Sequence, residues 1–575
     1  MNRKLSFLTS LFFAACFVPQ LAYAVDVPSR DTAGAEESRF RREEEQTKID
    51  QRLKKEVAQK SEEAEEESQP ALGPDAEKVT FLLKEVHFTG NQKISNRELQ
   101  PFAADYLNRT VNLHDLRKIA LRVKRYYRSR GFIAAYASVP PQDVTSGIVE
   151  IAIVEGKIGK VEFKGNRWYS TRVLKQALGM GAHQVLFYRD LASGLALLNR
   201  YPDIKAKGVL KPGQEPKTTD LEINIKDRFP VHLSTDVDNL GTKNTGITRW
   251  GIGVTDNNLL GLMDQASARF QIGKGAWAVG TRYNLPLNSS GTNVSFSYSR
   301  SHVRLLNDFE ALGVKGDAST YGIDLDQPLI REPDIYSSMN IGFDIKSIEN
   351  TVLGAKAGKD ELRILNTGLN TEFTDAWGKT YFPNSFHFGF ADFLGASNKV
   401  EPAATRAGTG GQFFIYRSSL VRYNRLPGDM ILALRSSLQL TPDTLAPSEQ
   451  FRLGGAFSVR GYPEGEYMAD YGGILSAELM VPTYFFPKDW KLPFSHEPLR
   501  NQIQGVGFFD FGAGALRKPL PSENDFRVLS GAGGGLRVHL FDRVFARFQW
   551  AGQTGRKSES GAHSAFYYGI SAELF

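Results

Sequence analysis

Phe451-Arg-Leu-Gly-Gly-Ala-Phe-Ser-Val-Arg-Gly-Tyr-Pro-Glu-Gly-Glu-Tyr467 interrupts a region that otherwise alternates as strands. The stretch is too long and too glycine-rich for a hairpin turn. Glycine lets backbone approach backbone, so Gly454, Gly455, Gly461 and Gly465 predict a loop folded tightly against something. Arg460 stands among apolar and glycine neighbours. Downstream, Phe508-Phe-Asp510-Phe-Gly512 reads as a strand. Phe508, Asp510 and Gly512 share one face of it; Phe509 and Phe511 share the other. An arginine in a packed loop and an acid on a strand can pair bidentately. The alternative is that Asp510 is a generic charge that pairs with whatever is near.

Outward from this stretch the chain keeps a period of two from Val231 to its end. Val294, Phe296 and Tyr298 alternate with serines; Ile323 and Leu325 alternate with Asp324 and Asp326. Residues 230–575 hold about sixteen such strands with no helix between, enough to close into a barrel with a wet lumen. Apolar-out, polar-in alternation is the pattern of a membrane barrel, although a soluble sandwich also tolerates it. On that reading Phe509 and Phe511 face lipid and Asp510 faces the lumen. Phe575 supplies an aromatic end, but counting back in twos meets Glu573, Ser571 and Gly569 instead of an apolar row.

Composition agrees. The chain has 54 Gly, 38 Phe, 21 Tyr, one Cys and a formal net charge of +6. That charge is small for the length and does not call for nucleic acid. Beyond the first residues no apolar stretch is long enough for a membrane helix.

The beginning has its own character. Met-Asn-Arg-Lys, an apolar run from Leu5 to Val18 and Ala22-Tyr-Ala24 predict a secretory signal over residues 1–24. Cleavage there would remove Cys16 and leave no disulfide or thiol chemistry. Residues 25–60 are dense in charge at i, i+4 spacing, which supports a helix from Thr32 to Lys60. Phe40, Ile49, Leu53 and Val57 give it only a thin apolar stripe. Such a helix is either a solvated tether or lies in a polar enclosure. Residues 61–76 read as a flexible linker.

Residues 77–229 contain a tandem repeat. Glu85-Val-His-Phe-Thr-Gly-Asn91 returns as Lys160-Val-Glu-Phe-Lys-Gly-Asn166. Each begins a strand closed by a Gly-Asn turn and is followed by two helix patterns and two strands. In the first unit, residues 77–155, the helices are expected over Ser95–Leu107 and Asn112–Arg130, and the strands over Phe132–Val139 and Gly147–Val154. The second unit covers residues 156–229. This β-α-α-β-β order resembles the POTRA domain, which binds extended client segments. Strand addition at an exposed edge is one route. Phe132, Ala134 and Tyr136 stand on the expected edge strand. Leu116, Ile119, Val123 and Tyr127 could line a groove beside it, or pack as the helix core.

Enzymatic function is poorly supported. The nine histidines are scattered, and no nucleophile elbow or phosphate loop is present. Gly531-Ala-Gly-Gly-Gly535 lies in an alternating strand, where glycine relieves crowding. No metal or cofactor is expected.

Two POTRA-like repeats before a barrel, Val459-Arg460-Gly461-Tyr462 in a long loop, and Phe508-x-Asp510-x-Gly512 downstream together resemble a two-partner secretion transporter of the TpsB family. The resemblance implies an all-β transmembrane barrel of about sixteen antiparallel strands, preceded by two α+β POTRA domains and an N-terminal plug helix. It implies that loop 441–471 folds into the barrel with Arg460 paired to Asp510. It places the chain in the outer membrane of a Gram-negative bacterium, with its POTRA domains in the periplasm. The partners implied are a large exoprotein with an N-terminal secretion domain, outer-membrane lipid, and the barrel-assembly machinery during biogenesis; the chain is expected to be a monomer. The alternative is a barrel-assembly insertase of the same superfamily, which usually carries more POTRA repeats and no plug. A passive porin would leave the repeats unexplained.

Overall fold

The computed structural model describes residues 29–58, 80–215, 218–332, 334–487, 489–493, 495, 498–521, 523–541 and 543–574. The expected signal at 1–24, the linker at 61–76 and the terminal Phe575 lie outside the described residues.

Sixteen antiparallel strands close into one barrel. They run from Val231–Asp238 to Ser564–Glu573, and these two pair to close it, from Gly569 opposite Asp238 to Glu573 opposite Ser234. Sequence neighbours pair throughout, except that Met430–Leu440 and Tyr471–Pro482 are separated by the long loop. The period-two pattern has its expected meaning. Trp250, Ile252, Phe296, Ile323, Ile341, Phe509 and Phe511 are exposed on the outer face, while Arg249, Ser299, Ser301, Lys346 and Glu478 are buried inside. Strand length varies from 8 residues in Arg249–Asp256 to 21 in Ala355–Asp375. The wall therefore stands low beside the closing seam and high opposite it.

The lumen is filled. A helix, Ala33–Ala58, runs along it and is capped where the Ala35 N–H donates to Thr32 Oγ1 at 3.3 Å. Its 26 residues span about 39 Å at ~1.5 Å each. Asp31, just before it, accepts from Thr242 and Asn244 in the loop after the first strand, at the end away from the repeats. Toward the other end Arg52 reaches Glu372, which Arg200 of the second repeat also reaches. The polar enclosure, one of the two readings of this helix, is what the fold provides. Burying charge is costly unless it is paired, and the helix is paired at intervals from Glu37 to Arg52. Glu43 meets Arg249 at 2.9 Å, Asp50 meets Arg435 at 3.2 Å, and Glu37 bonds Ser299. The thin apolar stripe is used at two points. Phe40 packs over Gly280, and Leu53 joins Val421, Tyr423 and Met480.

Below the barrel stand the two repeats. In the first, Glu85–Thr89, Ile148–Val154 and Tyr136–Ser138 form a sheet backed by Leu113–Ser129. The helix expected over Ser95–Leu107 is broken into Asn96–Leu99 and Pro101–Ala104, because Pro101 has no N–H to continue it. Phe81–Leu83 and Arg109–Val111 add a small second sheet. The second repeat has Lys157–Lys164, Thr218–Asp227 and Ile204–Pro212 in one sheet, with helices Thr171–Leu178 and Tyr188–Asn199.

The second repeat is bolted to the barrel through Asp203. Its buried carboxylate accepts from Arg228 at 2.9 Å, His232 at 2.9 Å and Asn257 at 2.6 Å. Burial opposes its ionisation, but the hydrogen bonds from His232 and Asn257 and the Arg228 charge hold the carboxyl below its usual range.

Candidate functional site: a loop anchored in the lumen

The loop between Leu440 and Tyr471 leaves the rim and turns back into the barrel. A short hairpin, Phe451–Leu453 with Tyr467–Ala469, stiffens it. Arg460 sits at its tip and is 4% exposed. Its Nε donates to Asp510 Oδ2 at 2.7 Å and its Nη2 to Oδ1 at 2.8 Å. Its backbone N–H adds a third bond to Asp510 at 3.1 Å. The guanidinium lies 3.4 Å from the centre of the Phe508 ring, a cation–π contact in a site shielded from water.

Each residue of the strand motif therefore has its own task. Phe508 stacks on the guanidinium and Asp510 accepts its bidentate pair. Gly512 leaves room, since a Cβ there would stand 2.8 Å from side-chain atoms of Leu453 and Val459. Gly531 on the next strand does the same for the Arg460 carbonyl. The loop motif is equally divided. Val459 is fully buried against the wall, and Gly461 adopts φ +99° beside the Gly552 backbone, a conformation that favours glycine. The Gly461 N–H donates to the Tyr567 hydroxyl at 3.0 Å, which donates in turn to the Tyr462 carbonyl at 2.7 Å. The Tyr462 hydroxyl donates to the Arg556 carbonyl at 2.6 Å.

Reading the sequence missed several partners. Glu478 accepts from Arg460 Nη1 at 2.6 Å and also faces Arg537 at 2.5 Å, so the anchor is a network of two arginines and two carboxylates. The base of the loop has two further clamps. Asp470 is fully buried, pairs with Arg406 at 2.9 Å and accepts the Arg517 N–H at 2.6 Å. Glu449 pairs with Lys346 at 2.6 Å and Arg417 at 3.2 Å. Glu478 is the inward partner that alternation on Tyr471–Pro482 could have flagged; nothing in the sequence points to Arg406.

Loop and helix also hold each other. Ser38 Oγ donates to the Ser448 carbonyl at 2.7 Å, and Arg452 Nη1 donates to the Ala35 carbonyl at 3.0 Å.

The expected groove on the first repeat is not formed. Leu116, Ile119, Val123 and Tyr127 are each 1% exposed or less and make up the core under their own sheet. The helix has one apolar face, and a three-stranded sheet covers it. The strand expected over Phe132–Val139 shrinks to Tyr136–Ser138, because the chain after Gly131 first turns inward. Phe132 is buried in that core, and Ala134 packs toward the second repeat. Tyr136 alone of the seven is exposed, on an edge strand. Burial pushes the Tyr127 hydroxyl's pKa up, and it donates to Glu155 at 3.3 Å.

A barrel with lipid-facing strands, two repeats at one mouth and a loop anchored in a filled lumen defines an outer-membrane transporter served by POTRA domains. The model of the haemolysin secretion/activation proteins ShlB/FhaC/HecB matches residues 217–538, and that of the ShlB-type POTRA domain matches residues 81–156. The chain belongs to this family. It is a two-partner secretion transporter of the outer membrane that exports an exoprotein, with its POTRA domains in the periplasm.

Among similar proteins, the heme/hemopexin transporter protein HuxB of Haemophilus influenzae strain 86-028NP is 25% identical over 458 residues, 77% of each chain. The outer membrane transporter CdiB of Dickeya dadantii is 24% identical over 424 residues, 72% of this chain and 73% of that one. The solved structure of CdiB from Escherichia coli shares the fold with a TM-score of 0.73 at 21% identity, covering 93% of this chain and 98% of that chain.

Proposed function

We propose that the POTRA repeats capture the secretion domain of one large exoprotein, and that the extended chain passes through the barrel once the helix Ala33–Ala58 has left it. The observation that carries this reading is the character of the helix. It is held largely by ion pairs and hydrogen bonds to the lumen wall, with apolar contacts at Ala33, Phe40 and Leu53, so leaving mainly exchanges paired polar groups for water. The anchored loop stays behind as part of the wall. Arg460 and Asp510 fix it, with Val459, Gly461, Tyr462, Phe508 and Gly512 shaping the seat. Capture falls to the first repeat, where Tyr136–Ser138 offers an edge for an incoming strand. The activity is transport without catalysis. The chain works as a monomer in outer-membrane lipid, where the barrel-assembly machinery inserts it.

A covalent lock tests the reading. A Cβ built on Gly34 stands 3.2 Å from the Ser448 Cβ, close to the usual disulfide spacing of about 3.5–4.5 Å. The pair Gly34→Cys with Ser448→Cys should stop export when oxidised and restore it on reduction. Normal export by the oxidised protein would defeat the proposal.

A further inference from the structure

Five large apolar side chains stand exposed where the second repeat meets the barrel. Trp168 belongs to the repeat's Gly-Asn turn, Phe229 to the crossing segment, and Leu259, Leu260 and Leu262 to the turn between the second and third barrel strands. Leu260 is 65% exposed. Trp168 and Phe229 meet edge-on, with ring centres 4.9 Å apart. Exposed apolar patches of this kind mark an interface.

The patch is rigid. Asn258 Nδ2 donates to the Trp168 carbonyl at 3.1 Å, and the Tyr169 hydroxyl donates to the Asn257 carbonyl at 3.3 Å. Asp227 accepts the N–H groups of Trp168 and Tyr169 at 2.7 and 3.1 Å. Met263, next to the exposed leucines, is buried in the core of the repeat.

Its position selects the occupant. Phe229 precedes Val231 and Leu233 in the alternation, and Val231 and Leu233 pair with Asp256 and Val254 in the lipid-facing row. Phe229 thus continues the outer apolar band downward. That band is short here. The strands Val231–Asp238 and Arg249–Asp256 have 8 residues each, giving roughly 20 Å of height at a tilt of ~40°, below the ~25 Å an outer membrane requires. The three leucines and the two rings supply the missing height. The polar groups suit an interface as well. The Arg167 guanidinium lies 4.9 Å from the Trp168 ring, Arg228 is exposed beside Phe229, and Asp256 caps the turn by accepting the Asn258 N–H at 2.9 Å. Aromatic rings beside basic groups occupy the headgroup level of membranes. None of the five residues lies on an edge strand of the described sheets, where an extended polypeptide would pair.

We propose that Trp168, Phe229, Leu259, Leu260 and Leu262 form a membrane-interface platform that seats the second POTRA repeat in the periplasmic leaflet. The platform sets the angle at which the repeats hang below the pore.

The test uses the full chain carrying Cys16→Ser and Leu260→Cys, labelled with an NBD fluorophore and reconstituted in phosphatidylethanolamine–phosphatidylglycerol vesicles. Heat-modifiable migration verifies a folded barrel. Emission from position 260 should be blue-shifted and lose intensity when lipid with a doxyl group near the headgroup is included. The same label on Thr145→Cys, in the first repeat, should not respond. Equal behaviour at the two positions would overturn the proposal. A response at 260 only on adding the exoprotein's secretion domain would assign the surface to cargo and overturn it as well. Adding Trp168→Ala and Phe229→Ala should weaken the quenching at 260. Unchanged quenching would show that the barrel alone sets the depth of the turn, and the role of the repeat would fall.

Discussion

Arg460 and Asp510 form a bidentate pair, at 2.7 and 2.8 Å, between a loop tip and the inner wall of the barrel. The contact is buried, stacked on Phe508 and shared with Glu478. It joins parts of the chain that are fifty residues apart.

Arg460→Ala should leave Asp510 uncompensated. Breaking a buried pair from one side typically costs about 3–5 kcal/mol. The ladder of sixteen strands should survive while the loop loses its position. Export, measured as cargo in the medium per folded transporter, should fall sharply. Asp510→Ala should match it, and the double variant should be no worse than either single one. Arg460→Lys should not rescue, because an ammonium cannot bridge both oxygens and stack on the ring as well. Normal export by both single variants would show that other contacts hold the loop.

Space should matter as much as charge. A Cβ on Gly531 would collide with the Arg460 carbonyl, whereas one on Gly507 meets nothing within 4 Å. Gly531→Ala should therefore reproduce the Arg460→Ala defect with the ion pair chemically intact, and Gly507→Ala should export normally. Equal export by the two would mean that the loop does not need its close seat.

Glu372 holds three cations, Arg52 of the helix at 2.7 Å, Arg200 of the second repeat at 3.1 Å and Lys379 at 3.2 Å. Glu372→Gln should leave them repelling one another and loosen the helix. Single-channel conductance in planar bilayers should rise toward that of a variant lacking residues 25–60. Unchanged conductance in the deletion variant would mean that the helix does not restrict the open path.

The joint at Asp203 should resist acid. Its folded carboxyl titrates below the unfolded value, so its contribution is complete above pH ~3.9 and is lost as pH falls through the lower folded value. Protease sensitivity between the second repeat and the barrel should not rise from neutrality down to about pH 4. Asp203→Asn should raise that sensitivity at every pH in the range. A joint that opens between pH 7 and 5 would rule Asp203 out as its bolt.

Tyr136 is the exposed residue on the edge strand Tyr136–Ser138 of the first repeat. Tyr136→Asp should reduce co-purification of the secretion domain without altering the barrel. Ile119→Asp, in the core, should instead unfold the repeat. Tyr136→Asp binding cargo as well as the parent would move the docking site elsewhere.

The sequence by itself determined the barrel, its two faces and the residues of the loop and strand motifs. Alternation assigns each side chain to lipid or lumen, because a strand offers only two directions. That is why Phe509 and Phe511 read correctly as outward and Asp510 as inward. Tertiary structure decided which inward groups meet. Many inward positions carry charge, so spacing along the chain cannot choose Glu478 for Arg460, Arg406 for Asp470 or Glu372 for Arg52. Tertiary structure also decided the fate of Leu116, Ile119, Val123 and Tyr127. One apolar helix face serves equally as a core or as the wall of a groove, and the sheet that folds over it takes it as core. The same holds for Trp168 and Leu260, which stand far apart in the chain and share a surface only because Asn258 and Asp227 hold their turns together.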